Sequence, residues 1–365
     1  MNSSSEGFPI SPSLQRAHPS DRERWDKFVD AHPEGRFCHL WGFREILEEV
    51  YGYRCLYVNI HVGQERVGVF PSVIVSHGRR RLVSQPFNEY GGPLTHNFSV
   101  DQYQRLGELL LLLSQEEKCH SIEIRGGVGC ELAEQAAGWV RKPLHSYAIL
   151  NLADPKLLWR DSLTNEARKG VNRGRKAGLS VEIRRGEQAV GDAFYELYLV
   201  SMKRLGVPPH PARFFTQLAS SLGERVVAAW IMSGVEPAAI LLGIVAGQRI
   251  QIWITASNPK HWSSRPNDLA HWELISWSYA QGLRVFDFGS ARYAGQIQFK
   301  RKWGANLREY SYYLIGPPSA GSSLEIQTVR SSSKTMEAMS MIWRTMVPLR
   351  LTPVLGPPIR KYLTK

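Results

Sequence analysis

Two stretches of this chain, one in each half, run through the same order of elements with little residue identity. In the first, "LYVNIHVGQERVGVFPSVIVSHGRRRLVS" (56–84) alternates apolar and polar residues and breaks near Gly63 and Gly78, which predicts three antiparallel strands. "SVDQYQRLGELLLLLSQEEKC" then sets leucines at helical spacing behind a Ser99 or Asp101 cap, and "SIEIRGG" is a short strand ending in glycines. In the second half, "RVVAAWIMSGVEPAAILLGIVAGQRIQIWIT" predicts three more strands turning near Gly234 and Gly247. "RPNDLAHWELISWSYAQGL" follows as a helix that starts at Pro266-Asn267-Asp268 and stops at Gly282, and "RVFDFGS" is the counterpart of "SIEIRGG". Helical segments open each half, 21–51 in the first and 155–177 with 187–205 in the second. The expected architecture is an α/β (α+β) fold of two lobes with one topology, mostly antiparallel sheets flanked by helices. The boundaries are a disordered N-terminus over 1–20, lobes over 21–150 and 151–316, and a linker with a basic amphipathic tail over 317–365.

Charge narrows the partners. The 365 residues carry 45 basic and 33 acidic side chains, a formal charge of +12 that favours a polyanion such as RNA, a nucleotide pyrophosphate, a coenzyme or anionic lipid headgroups. Cys38, Cys55, Cys119 and Cys130 lie scattered, with no C-x-x-C pair and no H-E-x-x-H, so no metal site and no disulfide framework is expected. The polar N-terminus lacks the apolar core of a signal peptide, and Leu109–Leu113 is too short to span a bilayer. A cytoplasmic protein follows from this reading. Its tail, "SMIWRTMVPLRLTPVLGPPIRKYLTK", mixes apolar and basic residues and either docks at the inner membrane face or covers an apolar groove of the second lobe.

Candidate chemistry concentrates in "FDFGSARYAGQIQFKRKWGA" (286–305). Strand alternation sets Val285 and Asp287 on one face and Phe286 and Phe288 on the other, so a carboxylate stands at a strand end. Asp287 either deprotonates an amine or caps the turn and pairs with an arginine, the structural role being favoured. Lys300, Arg301 and Lys302 form a cation run beside Phe299 and Trp303. Arg292 to Ile297 approaches an R-x-x-G-x-G/A phosphate loop but ends in isoleucine and follows the helix and strand it should precede, so it carries no assignment. "FNEYGGP" offers Asn88, Glu89 and Tyr90 before glycines, Gly91 first, that permit close backbone approach. Arg168, Lys169, Arg173, Arg175 and Lys176 share a helix whose cations either hold phosphates or form a solvated face.

Four motifs together carry a family resemblance over about Trp25 to Leu314: "SQPFNEYGG", "LTNEARKGVNRGRKAGLSV", "MKRLGVPPHPARFF" and "FDFGS" with "FKRKWG". The chain resembles the FemAB-like aminoacyltransferase branch of the GNAT acyltransferase superfamily, and most of all the FemAB-related, PEP-CTERM system-associated proteins. The resemblance implies tandem GNAT-like lobes and transfer of an acyl or aminoacyl group to an amine on a cell-envelope precursor, peptidoglycan or exopolysaccharide. It implies no tightly bound cofactor, acyl-CoA or aminoacyl-tRNA as co-substrate, and no DNA partner. Lys300 would stand at the reacting carbonyl, with Asp287 beside it. Substrate would meet Asn88, Glu89, Tyr90, Gly91, Asn267, Tyr293 and Trp303, and donor phosphates Arg168, Arg173, Arg175 and Lys176. The chain lacks the long charged heptad insertion of the FemA pattern, which counts against a tRNA donor. The competing expectations are an acyl-CoA-dependent N-acetyltransferase of a small amine and a non-catalytic RNA- or membrane-binding double lobe.

Overall fold

The computed structural model describes residues 11–76, 78–126, 131–316 and 333–362. In chain order the elements are β1 (Pro12–Arg16), α1 (Arg22–Ala31), α2 (Trp41–Tyr51), β2 (Arg54–Val62), β3 (Glu65–Val75), β4 (Arg81–Val83), β5 (Leu94–Thr95), α3 (Val100–Glu116) and β6 (Ser121–Arg125). There follow β7 (Trp139–Asn151), α4 (Pro155–Leu157), α5 (Asn165–Lys176), β8 (Ser180–Arg185), α6 (Asp192–Leu205), α7 (Ala212–Leu222), β9 (Val226–Ser233), β10 (Glu236–Ala246) and β11 (Arg249–Ser257). The last are α8 (Pro266–Ala280), β12 (Val285–Ala291), α9 (Ala294–Arg301), β13 (Asn306–Ile315), α10 (Ser333–Met346) and α11 (Thr352–Tyr362). Two compact units result, with boundaries inside β7 and β13.

The first unit orders its strands β1-β2-β3-β4-β6-β13, with β5 on β3. β2 and β3 form the expected antiparallel hairpin, and β4 pairs in parallel with β6 across the α3 connection. Ser99 Oγ accepts from the Gln102 amide (3.2 Å) while Gln102 Oε1 accepts from the Ser99 amide (3.0 Å), a reciprocal cap that fixes where α3 begins. Leu106, Leu110 and Leu113 of α3 bury against Ile122, Ile124 and Tyr313 to form the core. The N-terminus departs from the expected disorder: Pro12–Arg16 is a strand because its backbone pairs with 58–62 on β2. Sequence polarity hides this, since an edge strand can face water.

The second unit orders its strands β7-β12-β11-β10-β9-β8, with β9, β10 and β11 as the expected meander. On one face, Phe286 and Phe288 join Leu269, Ile275 and Val171 from α8 and α5 in a dry core. On the other, Trp253 of β11 meets Phe37 (5.5 Å between centroids) and Phe214 (5.2 Å). Residues 35–52 therefore belong to this unit and not to the first lobe. Their helix α2 packs so closely on α7 that a Cβ on Gly42 would lie 2.7 Å from the Ser221 carbonyl oxygen. Residues 333–362 also join this unit.

The basic helix α5 owes its place to glycines, not to its cations. Gly170 and Gly174, one turn apart, let it press on α8. A Cβ on Gly170 would lie 2.3 Å from Asp268 Oδ2 and 2.7 Å from its Cγ. Asp268 is 3% exposed and ion-paired, so it has nowhere to move. Gly170→Ala is expected to destabilise by about 1–3 kcal/mol through overpacking, against alanine's better helix propensity. Urea denaturation checks it beside the exposed neighbour Asn172→Ala, which should shift by less than about 0.5 kcal/mol.

Candidate functional site

The site in the second unit begins where two parallel strands part. β11 and β12 pair only over Arg249–Gln251 with Val285–Asp287. β11 then continues to Ser257 and β12 to Ala291, so beyond the short ladder each presents main-chain groups to a wedge between them. β12 is shaped there by a register shift against β7 between Asp287 and Ser290, with Gly289 at φ 69°. Asp287 Oδ1 accepts from the Gly289 amide at 2.8 Å and fixes this bend. From α9, Lys300 Nζ donates to the carbonyl oxygens of Phe288 (2.7 Å), Gly289 (2.9 Å) and Ser290. The ammonium thereby holds the carboxyl end of β12.

A cavity of about 340 Å³ lies at the carboxyl end of β11, where the chain enters α8. Ser257, Trp262, Arg265, Asn267, Asp268, Phe299 and Arg204 of α6 are among its walls. Ser257 Oγ accepts from Trp262 Nε1 (3.0 Å) and Asn267 Nδ2 (3.3 Å), which turns both side chains inward. Asn267 Oδ1 is buried with no protein partner. Pro266 takes the first position of α8, the Asp268 amide donates to the Arg265 carbonyl (3.1 Å), and the helix turns the positive end of its dipole toward this space. Asp268 would oppose an anion, but Lys302 Nζ lies 2.5 Å from its Oδ1 and cancels that charge. The ammonium, 5% exposed, also stands 4.3 Å above the Phe299 ring. Arg204 and Arg265 then leave the wall net positive, which suits a phosphate at the helix N-terminus.

Behind the cavity, His271 stacks near Phe288 and Trp303, and the Asn267 carbonyl accepts from its Nδ1 at 2.7 Å. Burial pushes its pKa down to about 3, with Lys302 and Lys300 acting in the same direction against that hydrogen bond. On the opposite side of β12, Asp287 is fully buried between Arg36 Nε (3.4 Å) and Arg249 Nη1 (3.6 Å). Burial raises the adjacent Cys38 thiol to about 12, so it is no nucleophile.

The remaining predicted residues divide. Trp303 is fully buried behind the cavity, whereas Tyr293 stands before α9 and is 63% exposed. Arg168 donates to the Trp159 (2.8 Å) and Leu163 (2.7 Å) carbonyls and so closes the turn before α5. Arg175 pairs with Glu273 at 2.8 Å, and Arg173 and Lys176 are exposed. In the first unit, Asn88 and Tyr90 are buried, Glu89 is half-buried and Gly91 has φ 133°. Asn88 Oδ1 and Nδ2, with Gln85 Oε1, are buried without protein partners. Asp287 caps the turn and pairs with arginines, as the favoured structural reading expects, whereas Ser257, Trp262, Arg265 and the Lys302–Asp268 pair were not anticipated. The start signal "RPND" after a strand was the one cue to the cavity.

Residues 161–301 match the family described as Acetyltransferase (GNAT) domain. Solved structures extend the likeness to the tandem arrangement. FemX aligns with a TM-score of 0.68 at 16% identity, over 86% of this chain and 100% of that one. L-PGS from Bacillus licheniformis aligns at 0.54 and 16%, over 90% and 98%. A tandem GNAT protein from the clavulanic acid biosynthesis pathway aligns at 0.52 and 11%, over 84% and 99%. At these identities the likeness is one of fold. No curated protein matches the sequence.

Proposed function

We propose that this chain is an N-acyltransferase that seats an acyl donor in the second unit and passes its acyl group to an amine. The observation that carries the reading is the β11–β12 wedge opening beside the α8 N-terminus. The β11 edge beyond Gln251, where its ladder with β12 ends, is where an extended amide-containing chain can add as a strand. The helix end and the Arg204 and Arg265 side chains suit the phosphates at the other end of such a donor. Acyl-CoA has both parts. Its thioester already has a good leaving group, so the protein's task is alignment and stabilisation of the oxyanion. Lys300 contributes as a positioning residue, since its ammonium holds the β12 carbonyls that border the wedge.

The acceptor in this reading is an amine on a peptidoglycan or exopolysaccharide precursor, in line with the resemblance to FemAB-related, PEP-CTERM system-associated proteins. The Asn88 side-chain amide and Gln85 Oε1 in the first unit support a polar acceptor, because buried polar atoms without protein partners need hydrogen bonds from something bound. Aminoacyl-tRNA is the second donor reading, favoured by the exposed Arg173 and Lys176 on α5. The test is transfer of labelled acetyl from acetyl-CoA to amino-sugar acceptors, before and after ribonuclease. Transfer that survives ribonuclease and weakens at least about tenfold in Arg265→Glu is the expected result, the size following from removal of charge-assisted hydrogen bonds to phosphate. Transfer from charged tRNA that ribonuclease abolishes would move the assignment to the second donor, and no transfer from either would end it.

A further inference from the structure

A surface independent of the wedge lies on the two C-terminal helices of the second unit. Helix α10 is tethered to α6 by its backbone: Lys203 Nζ donates to the carbonyls of Trp343 (2.8 Å) and Arg344 (2.7 Å). Gly206 at the end of α6 lies so close that a Cβ there would be 2.7 Å from the Ser340 carbonyl oxygen. Trp343, 5% exposed, turns inward as the anchor. The opposite face is apolar and points to water. Met339, Met341, Ile342 and Met346 are 44%, 63%, 52% and 73% exposed, and at 3.6 residues per turn they fall with Ala338 and Thr345 on one side with no charge among them. On α11, Val354 is 68% exposed and Leu355 44%.

Helices normally turn such a face toward a core, and a face held outward marks a contact surface. Charge decides what kind. Over 333–365 the sequence has six cations, Lys334, Arg344, Arg350, Arg360, Lys361 and Lys365, against Glu337 alone. Exposed apolar side chains bordered by an excess of cations fit an interface whose interior is hydrocarbon and whose surface is anionic.

We propose that α10 and α11 form a docking surface for an anionic lipid bilayer, with the Met339, Ile342 and Met346 face entering the headgroup boundary and Arg344, Arg350 and Lys361 meeting lipid phosphates. The surface places the protein on a membrane; it does not span one, since among the described residues no helix is long and apolar enough to cross. It stands apart from the acyl-transfer reading and is tested without an activity assay. The full chain is sedimented with vesicles of phosphatidylcholine alone and of phosphatidylcholine mixed with phosphatidylglycerol. Binding to the mixed vesicles only is the expected result. Ile342→Asp with Met346→Asp, both at exposed positions, should abolish it at an unchanged melting temperature. Arg350→Gln with Lys361→Gln should weaken it about 25-fold, roughly fivefold for each cation removed, and serves alone if the aspartate variant does not fold. Equal binding to both vesicles, no binding to either, or undiminished binding of the variants overturns the proposal. So does sedimentation showing a dimer that the aspartate pair converts to monomer, because the face would then be covered by a second copy.

Discussion

Asp287→Ala is expected to lower the unfolding free energy by about 3–5 kcal/mol, the cost of stranding a buried ionic partner. Asp287 is fully buried, and Arg36 and Arg249, at 2% and 6% exposure, stand within 3.4 Å and 3.6 Å of its Oδ2. Neither guanidinium can shed its proton, so removal of the carboxylate leaves both cations in a poorly solvating interior. The variant also deprives the Gly289 amide of its acceptor. Asp287→Asn separates these effects, because its side-chain oxygen can still accept from Gly289. It should recover the hydrogen-bond share, about 1 kcal/mol, and leave the ionic share lost. Urea denaturation of the three proteins reads both, and an alanine variant within 1 kcal/mol of the parent would sink the account, a margin of about a tenth of typical domain stability. An inactive alanine variant therefore does not by itself mark Asp287 as a base.

The repeated programme of strands and helices was legible because local chemistry states it. Glycines at positive φ, among them Gly63, Gly234 and Gly282, punctuate the periodic segments, and Ser99 with Gln102 fixes the start of α3. Alternation along β12 also held: Phe286 and Phe288 enter the core while Asp287 faces the other way. What failed were contacts set by distant partners. Residues 35–52 sit in the second unit because Gly42 fits against Ser221, a match between two helices that no periodicity encodes. The run Lys300-Arg301-Lys302 looks uniform in sequence, but the helix end turns Lys300 toward β12 and Lys302 into Asp268, leaving Arg301 exposed. The cavity stayed hidden for the same reason, since α6, β11, the turn after it, α8 and α9 each supply a wall.

The second large effect is a loss of stability in mild acid. His271 and His210 are both buried, and desolvation lowers the first to about 3 and the second well below the usual histidine range. In the unfolded chain both take up a proton near pH 6.5, while the folded protein leaves them neutral until far lower pH. Between these limits the unfolded state binds more protons, so stability is complete above pH 6.5 and falls as the pH drops. The slope is about 1.4 kcal/mol per pH unit for a histidine neutral in the fold, so His271 should remove about 2 kcal/mol between pH 6.5 and 4.5, and His210 adds to the loss in the same direction. Urea midpoints across that range test it with His271→Gln, which removes one titrating site. The variant should lose stability along a slope lower by about 1.4 kcal/mol per pH unit, with carboxylate contributions common to both proteins. Equal slopes would mean that His271 does not stay neutral in the fold. His271 stays neutral in the fold throughout this range, so its hydrogen bond to Asn267 persists and ligand affinity of the folded protein at the cavity should hold while stability falls.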